Sequence, residues 1–223
     1  MIEAAPATSS VRNIERLLRP GSVAVVGASS TPGALGASVV ANLERMEFAG
    51  EIHLINPKRD FIGERRCLPS VAELPLGVDV AVLAIPRSVV IETIRELVKR
   101  QVGAAIIFSA GFAEGGAAGL ADQRELARIA ADSGMIIEGP NCLGLVNYVD
   151  GIALTFVETP AIALGNRPGI GIVSQSGAMA AVVGVTLTAK SVGISYSIST
   201  GNEAASGIED YVENLLGDAK IDQ

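Results

Sequence analysis

The residues of this chain that could do chemistry sit in turns. Residues 22–36 read S-V-A-V-V-G-A-S-S-T-P-G-A-L-G: a β-branched apolar run ends on Gly27, small and turn-forming residues follow, and a helical pattern opens after Gly36. Glycine lets the backbone approach an anion closely, and the unpaired N–H groups of a first helical turn point at it. Strand, glycine turn and helix in that order can therefore hold a phosphate, although the same order also makes a plain βα turn in a parallel sheet. A second apolar run ends in Asn56-Pro57-Lys58-Arg59, with no carboxylate until Asp60. A cation there suits a phosphate monoester on a ribose; a solvated loop is the plain alternative. A third turn, Gln175-Ser176-Gly177, again joins a strand pattern to a helical one.

Several other chemistries are poorly served. A serine nucleophile elbow needs G-x-S-x-G, but Ser174 and Ala178 flank the Gln-Ser-Gly turn. The single histidine, His53, lies between Ile52 and Leu54 in an apolar run and reads as a packed or edge-strand residue. Without a histidine to activate it, Cys142 reads as a small buried thiol. No group of side chains has metal-ligand spacing, so no metal is expected. Tyr148, Tyr196 and Tyr211 have no lysine four residues on, which leaves an oxidoreductase without an evident proton donor.

These turns must be positioned by a sheet. Strand patterns at 22–27, 51–57, 78–86, 103–111 and 135–141 alternate with helical ones at 36–47, 87–101 and 116–133, with an irregular stretch and one helical turn over 58–77. A short helical pattern over 11–18 precedes them. Strands alternating with helices of ten or more residues predict a doubly wound, Rossmann-like parallel sheet. The theme restarts after residue 168 with strands at 171–174 and 192–198 and helices at 178–189 and 207–216. The expected organisation is a flexible lead-in over 1–10, a Rossmann-like domain over 11–150, a linker over 151–168, and a flavodoxin-like α/β domain over 169–223. With two strands only, that second domain is expected to be truncated and to leave an open edge that seeks a partner, by self-association or otherwise.

Composition narrows the class. The chain has 223 residues, 49% of them hydrophobic but only 4% aromatic, which suits buried parallel strands. A net charge of −7 argues against a nucleic-acid or anionic-membrane surface. There is no apolar run of transmembrane length, no signal-peptide pattern at the start, and two cysteines make no disulfide framework, so the expected location is the cytoplasm.

The glycine spacing selects among nucleotide ligands. Gly27, Gly33 and Gly36 make G-x5-G-x2-G, wider than the G-x-G-x-x-G of dinucleotide folds. With Lys58 and Arg59 at the end of the second strand, NAD is disfavoured; NADP or the 3′-phosphate of coenzyme A remain. Seven short stretches then occur in order: G-A-S-S-T-P-G, I-N-P-K, A-I-P, S-A-G-F-A-E, G-P-N-C-L-G, V-S-Q-S-G-A and T-G-N-E-A. Over about residues 14–218 the chain resembles the nucleoside-diphosphate-forming acyl-CoA synthetases, relatives of the succinyl-CoA synthetase α subunit.

That resemblance implies a CoA site made of Gly27, Ser29, Ser30, Thr31, Pro32 and Gly33 around the nucleotide and pyrophosphate. It also implies Lys58 on a CoA phosphate, Ile85 and Pro86 beside the adenine, Phe108, Ser109 and Ala110 along the pantetheine, and Asn141 near the thioester end. Succinyl-CoA synthetases tend to carry a glutamate where this chain has Ala110. Ser176 and Gly177 match the helix N-terminus that cradles the phosphoryl group of a phosphohistidine. That histidine and the ATP-grasp portion fall outside this sequence. The implied function is thus the CoA-binding part of a ligase that joins a carboxylic acid to CoA at the expense of a nucleoside triphosphate. ATP, ADP and Mg would be held by missing or partner regions, and no catalytic residue is expected in this chain. A non-catalytic CoA or nucleotide sensor, and less readily an NADP-linked oxidoreductase, are the alternatives.

Overall fold

The computed structural model describes residues 14–162, 164 and 167–222. The lead-in expected over 1–10 and part of the expected linker lie outside these residues. Residues 14–18 are helical. The first sheet contains β1 (Ser22–Val26), β2 (Glu51–Ile55), β3 (Phe61–Ile62), β4 (Arg65–Leu68), β5 (Val80–Leu83), β6 (Ala104–Ile107) and β7 (Ile136–Glu138). Its order is β3-β4-β2-β1-β5-β6-β7, parallel except for the β3–β4 pair.

Helices α1 (Leu35–Arg45), α2 (Arg87–Lys99) and α3 (Ala117–Ser133) make the crossovers. Alternating strand residues feed the two faces. Val23, Val25, Val80, Val82 and Ile106 pack with Val39 and Leu43 of α1. Ala24, Val26, Ala81, Leu83 and Ile107 pack with Val90, Ile94 and Leu97 of α2 and Leu126 of α3. The sheet is doubly wound, and its order reverses between β1 and β5, where such folds open a crevice for ligands.

Two departures from the sequence reading concern strands. Part of the stretch read as irregular over 58–77 is the β3–β4 hairpin, which extends the sheet beyond β2. More consequentially, β8 (Gly144–Asn147) and β9 (Ile152–Thr155) form an antiparallel hairpin that pairs with the second sheet. That sheet is ordered β10-β11-β8-β9, with β10 (Ile170–Ser174) and β11 (Ile194–Ser199) parallel. Residues 152–155, read as linker, are therefore strand, and the second sheet has four strands rather than two. β8 pairs with β11, so β10 and β9 are the edges of this sheet, and Leu145 and Leu154 of the hairpin are buried in the core shared with β1 and α1.

Helices α4 (Gly177–Ala189) and α5 (Ile208–Leu215) cover the second sheet. Ser176 caps α4, its hydroxyl accepting the Met179 N–H at 3.3 Å. No helix among the described residues is long and apolar enough to cross a membrane.

Candidate functional site

The turns singled out in the sequence lie after β1, β2, β5, β6 and β7, which places them along one edge of the first sheet. Gly27 stands at the switch point. Its φ is +84°, and a Cβ there would come 2.4 Å from the Ala84 carbonyl oxygen, so only glycine lets the β1 turn lie against the β5 turn. Gly36 is equally constrained: a Cβ would sit 2.1 Å from the Gly27 carbonyl oxygen, so the start of α1 folds tightly back onto the turn.

Between these two contacts the loop is open. Ser30, Thr31, Pro32 and Gly33 are exposed and Ser29 half-buried, with the Ser29 hydroxyl accepting the Thr31 N–H at 3.0 Å. The amide of Asn56 donates to the Ala28 carbonyl at 2.7 Å while its side-chain oxygen accepts the Lys58 N–H at 2.8 Å. Asn56 thus couples the β2 turn to the β1 turn and leaves Lys58 exposed beside them. Ile85 is half-buried against Gly27, and Pro86 is exposed at the start of α2.

Further along the edge the two sheets meet around a cleft of about 590 Å³. Phe108, Asn141, Ser176 and Gly177 line it, so four of the residues implied by the resemblance come together there. The remaining ones, from Gly27 to Pro86 and including Ser109 and Ala110, lie on the same edge but do not line this cleft. The Ser109 hydroxyl is buried without a hydrogen-bond partner among the described residues, and Ala110 is exposed. An orphaned hydroxyl beside a cleft is a group that a polar ligand would satisfy. Asn141 takes a left-handed φ of 57°, with its N–H donating to the Ser109 carbonyl at 3.1 Å.

The walls of the cleft are held by side chains that sequence reasoning did not assign. Asn202 accepts from the Asn141 amide at 3.3 Å and donates to Gln123 at 3.1 Å and to Glu114. Glu114 also accepts the Gly111 N–H at 2.5 Å. Burial pushes the Glu114 carboxyl up, but the Asn202 and backbone hydrogen bonds outweigh it and hold the group below the usual carboxylate range. Glu114 and Asn202 lie within the S-A-G-F-A-E and T-G-N-E-A stretches, so the signal was present without a role attached.

Phe156 closes one side, meeting Phe108 edge-on with ring centroids 4.9 Å apart. Cys142 lines the cleft but is buried, its thiol 3.4 Å from the Ile107 carbonyl, and burial pushes its pKa well up, so it is no thiolate. His53 sits on β2 in register with Ala24, its ring 3.4 Å from the Glu51 carboxylate, and does not line the cleft.

Comparison with known proteins finds a matching family for each half of the chain. Residues 21–148 match the family described as CoA binding domain, and residues 167–223 match the succinyl-CoA ligase like flavodoxin domain. A trans-feruloyl-CoA synthase from an unknown prokaryotic organism is 56% identical over 211 residues, covering 94% of this chain and 30% of the relative. The ADP-forming acetate–CoA ligase II of Archaeoglobus fulgidus is 36% identical over 204 residues, covering 91% and 30% respectively. A solved structure from Candidatus Korarchaeum cryptofilum has a TM-score of 0.85 at 32% identity, covering 93% of this chain and 44% of that one. It is described as a dinucleotide forming acetyl-coenzyme A synthetase 1 in complex with phosphate and ADP. The chain spans about a third to under half of the length of these relatives. With residues 21–148 making up more than half of the chain, and with ADP-forming acyl-CoA ligases among its relatives, the chain belongs to the CoA binding domain family.

Proposed function

We propose that this chain is the CoA-binding part of an ADP-forming acyl-CoA ligase. The observation that carries the reading is the cleft itself, which joins the Asn141 turn of the first sheet to the capped N-terminus of α4 on the second. The open β1 turn offers the exposed backbone of Ser30 and Gly33 to the pyrophosphate, Lys58 offers a cation to the ribose phosphate, and Ser109 offers an unpaired hydroxyl along the way to Asn141. CoA supplies the thiol that receives the acyl group. The first turn of α4 suits a phosphoryl group, since Gly177 and Ala178 present their N–H groups at the positive end of the helix. The phosphohistidine, ATP-grasp region, nucleotide and Mg belong, on this reading, to the remainder of the ligase.

Calorimetric titration tests it. The wild-type chain should bind CoA more tightly than dephospho-CoA, because only CoA carries the 3′-phosphate. Lys58→Ala should weaken CoA binding by about 3–30-fold, a charge-assisted contact at an exposed site, and should bring the two ligands to similar affinity. A wild-type chain that ignores CoA at millimolar concentration would sink the reading.

A further inference from the structure

A second cavity begins where the cleft ends. Leu143 and Gly177 line both. The second cavity is a groove of about 440 Å³ between α4 and the face of the second sheet that carries Val146, Tyr148 and Ser197. Its helical wall includes Ala181, Gly184 and Val185, which recur at the spacing of one helix face, and Val157 stands opposite. Small residues keep the groove wide: a Cβ on Gly184 would meet nothing closer than 3.8 Å. Its polar lining includes Glu158, Thr188 and Ser197, while Thr155 and Thr159 are buried with their hydroxyls bonded to the Val157 backbone. A mostly apolar cavity of this size with a handful of polar groups is the ordinary form of a small-molecule site.

The junction of the two cavities is built in detail. A Cβ on Gly177 would lie 2.3 Å from Leu143 Cγ, so only glycine lets Leu143 lean over the first turn of α4. The Leu143 N–H donates to the Ser199 hydroxyl at 3.2 Å, which fixes that residue's backbone. Leu143 is therefore the partition between the polar cleft and the apolar groove. Met179 and Val182, which are also exposed on α4, do not line the groove.

From this continuity we infer that the groove is the acyl subsite: it takes the body of a bulky, apolar carboxylic acid whose carboxyl end lies at Leu143 and Gly177, where the cleft would bring the CoA thiol. The inference rests on the CoA reading above. A two-carbon acid would leave the groove empty, whereas an aryl-bearing acid would fill much of it.

The test uses the wild-type chain, CoA, and the non-hydrolysable thioether S-(3-phenylpropyl)-CoA. Titration of the wild type should give the thioether at least tenfold higher affinity than CoA, the return expected for burying a phenyl group. Ala181→Trp places a large ring on the exposed helical wall and should abolish that gain while leaving CoA affinity unchanged. Val185→Trp, on the same face, provides an independent block if Ala181→Trp does not fold. A wild type that binds CoA but gains nothing from the aryl tail overturns the proposal while leaving the CoA reading intact, and so it does if the groove proves to be covered by a second copy. A gain that survives both tryptophans also overturns it. A chain that binds neither ligand overturns the CoA reading and this proposal together.

Discussion

Glu138 ends β7 with both carboxyl oxygens buried and without hydrogen-bond partners among the described residues. The Tyr211 hydroxyl, from α5, faces it and is equally unpartnered by normal geometry. Burial holds the Glu138 carboxyl well above the usual carboxylate range, against a smaller opposing pull from Tyr211, and so favours its protonated form in the folded chain. The unfolded chain releases that proton near pH 4.3. Above that pH the unfolded state binds fewer protons than the folded one, so this residue's contribution to stability falls as pH rises towards the folded pKa. Each unit of separation between the two pKa values is worth about 1.4 kcal/mol. Glu138→Gln removes the titration and should flatten that part of the profile. Thermal melts of both proteins from pH 5 to 8 decide it: the wild type should lose ground to the variant as pH rises, and parallel curves would show that Glu138 ionises freely.

At the scale of elements, the hairpin of β8 and β9 depends on one side chain of α1. Asn42 is buried, and its amide donates to the Thr155 and Val157 carbonyls at 2.8 Å each. Its oxygen accepts from the Thr159 N–H at 3.2 Å and from Arg45 at 2.7 Å. Asn42→Ala leaves two carbonyls and an N–H unsatisfied, which costs about 1–3 kcal/mol and lowers the melting temperature by roughly 3–10 °C. An unchanged melting temperature would mean that the 155–159 segment finds other partners.

This hairpin also shows where the sequence stops being legible. The βα units of the first sheet could be read because each strand is a continuous apolar run and each helix has its own period. β8 and β9 are no shorter than β5 and β6, but a hairpin has no helical period to set its strands apart, and the strand β8 pairs with, β11, lies some fifty residues on. The site divides in the same way. Phe108, Asn141, Ser176 and Gly177 stand in recognisable turns, whereas Glu114, Gln123 and Asn202 matter through hydrogen bonds to each other across the chain. A contact between distant segments leaves no local signature.

Across the whole molecule, one apolar cluster joins the sheets. Leu17, Val25 and Leu43 from the first domain pack in the same core as Leu145, Tyr196, Ile198 and Tyr211. Arg19 adds a polar tie, donating to the Tyr196 hydroxyl at 2.7 Å and pairing with Asp218 at 2.5 Å. The two sheets should therefore unfold in a single transition. The chain has no tryptophan and three tyrosines, all in the second half, so near-ultraviolet circular dichroism follows the second sheet while the far-ultraviolet signal follows the entire fold. Coincident melts at both wavelengths are expected; a tyrosine signal lost several degrees earlier would show that the sheets come apart independently.

The shared hairpin has a meaning for inheritance as well as for folding. If two relatives exchanged their second domains by recombination, a crossover at residue 150 would draw β8 from one parent and β9 from the other. The Leu145–Leu154 register and the Asn42 hydrogen bonds to Thr155 and Val157 would then join residues with no common ancestry. A crossover before Gly144 would pass the whole second sheet intact but would still need an α1 able to grip it. The heritable module of this protein is thus wider than either sheet: it runs from the asparagine on α1 to the far end of β11.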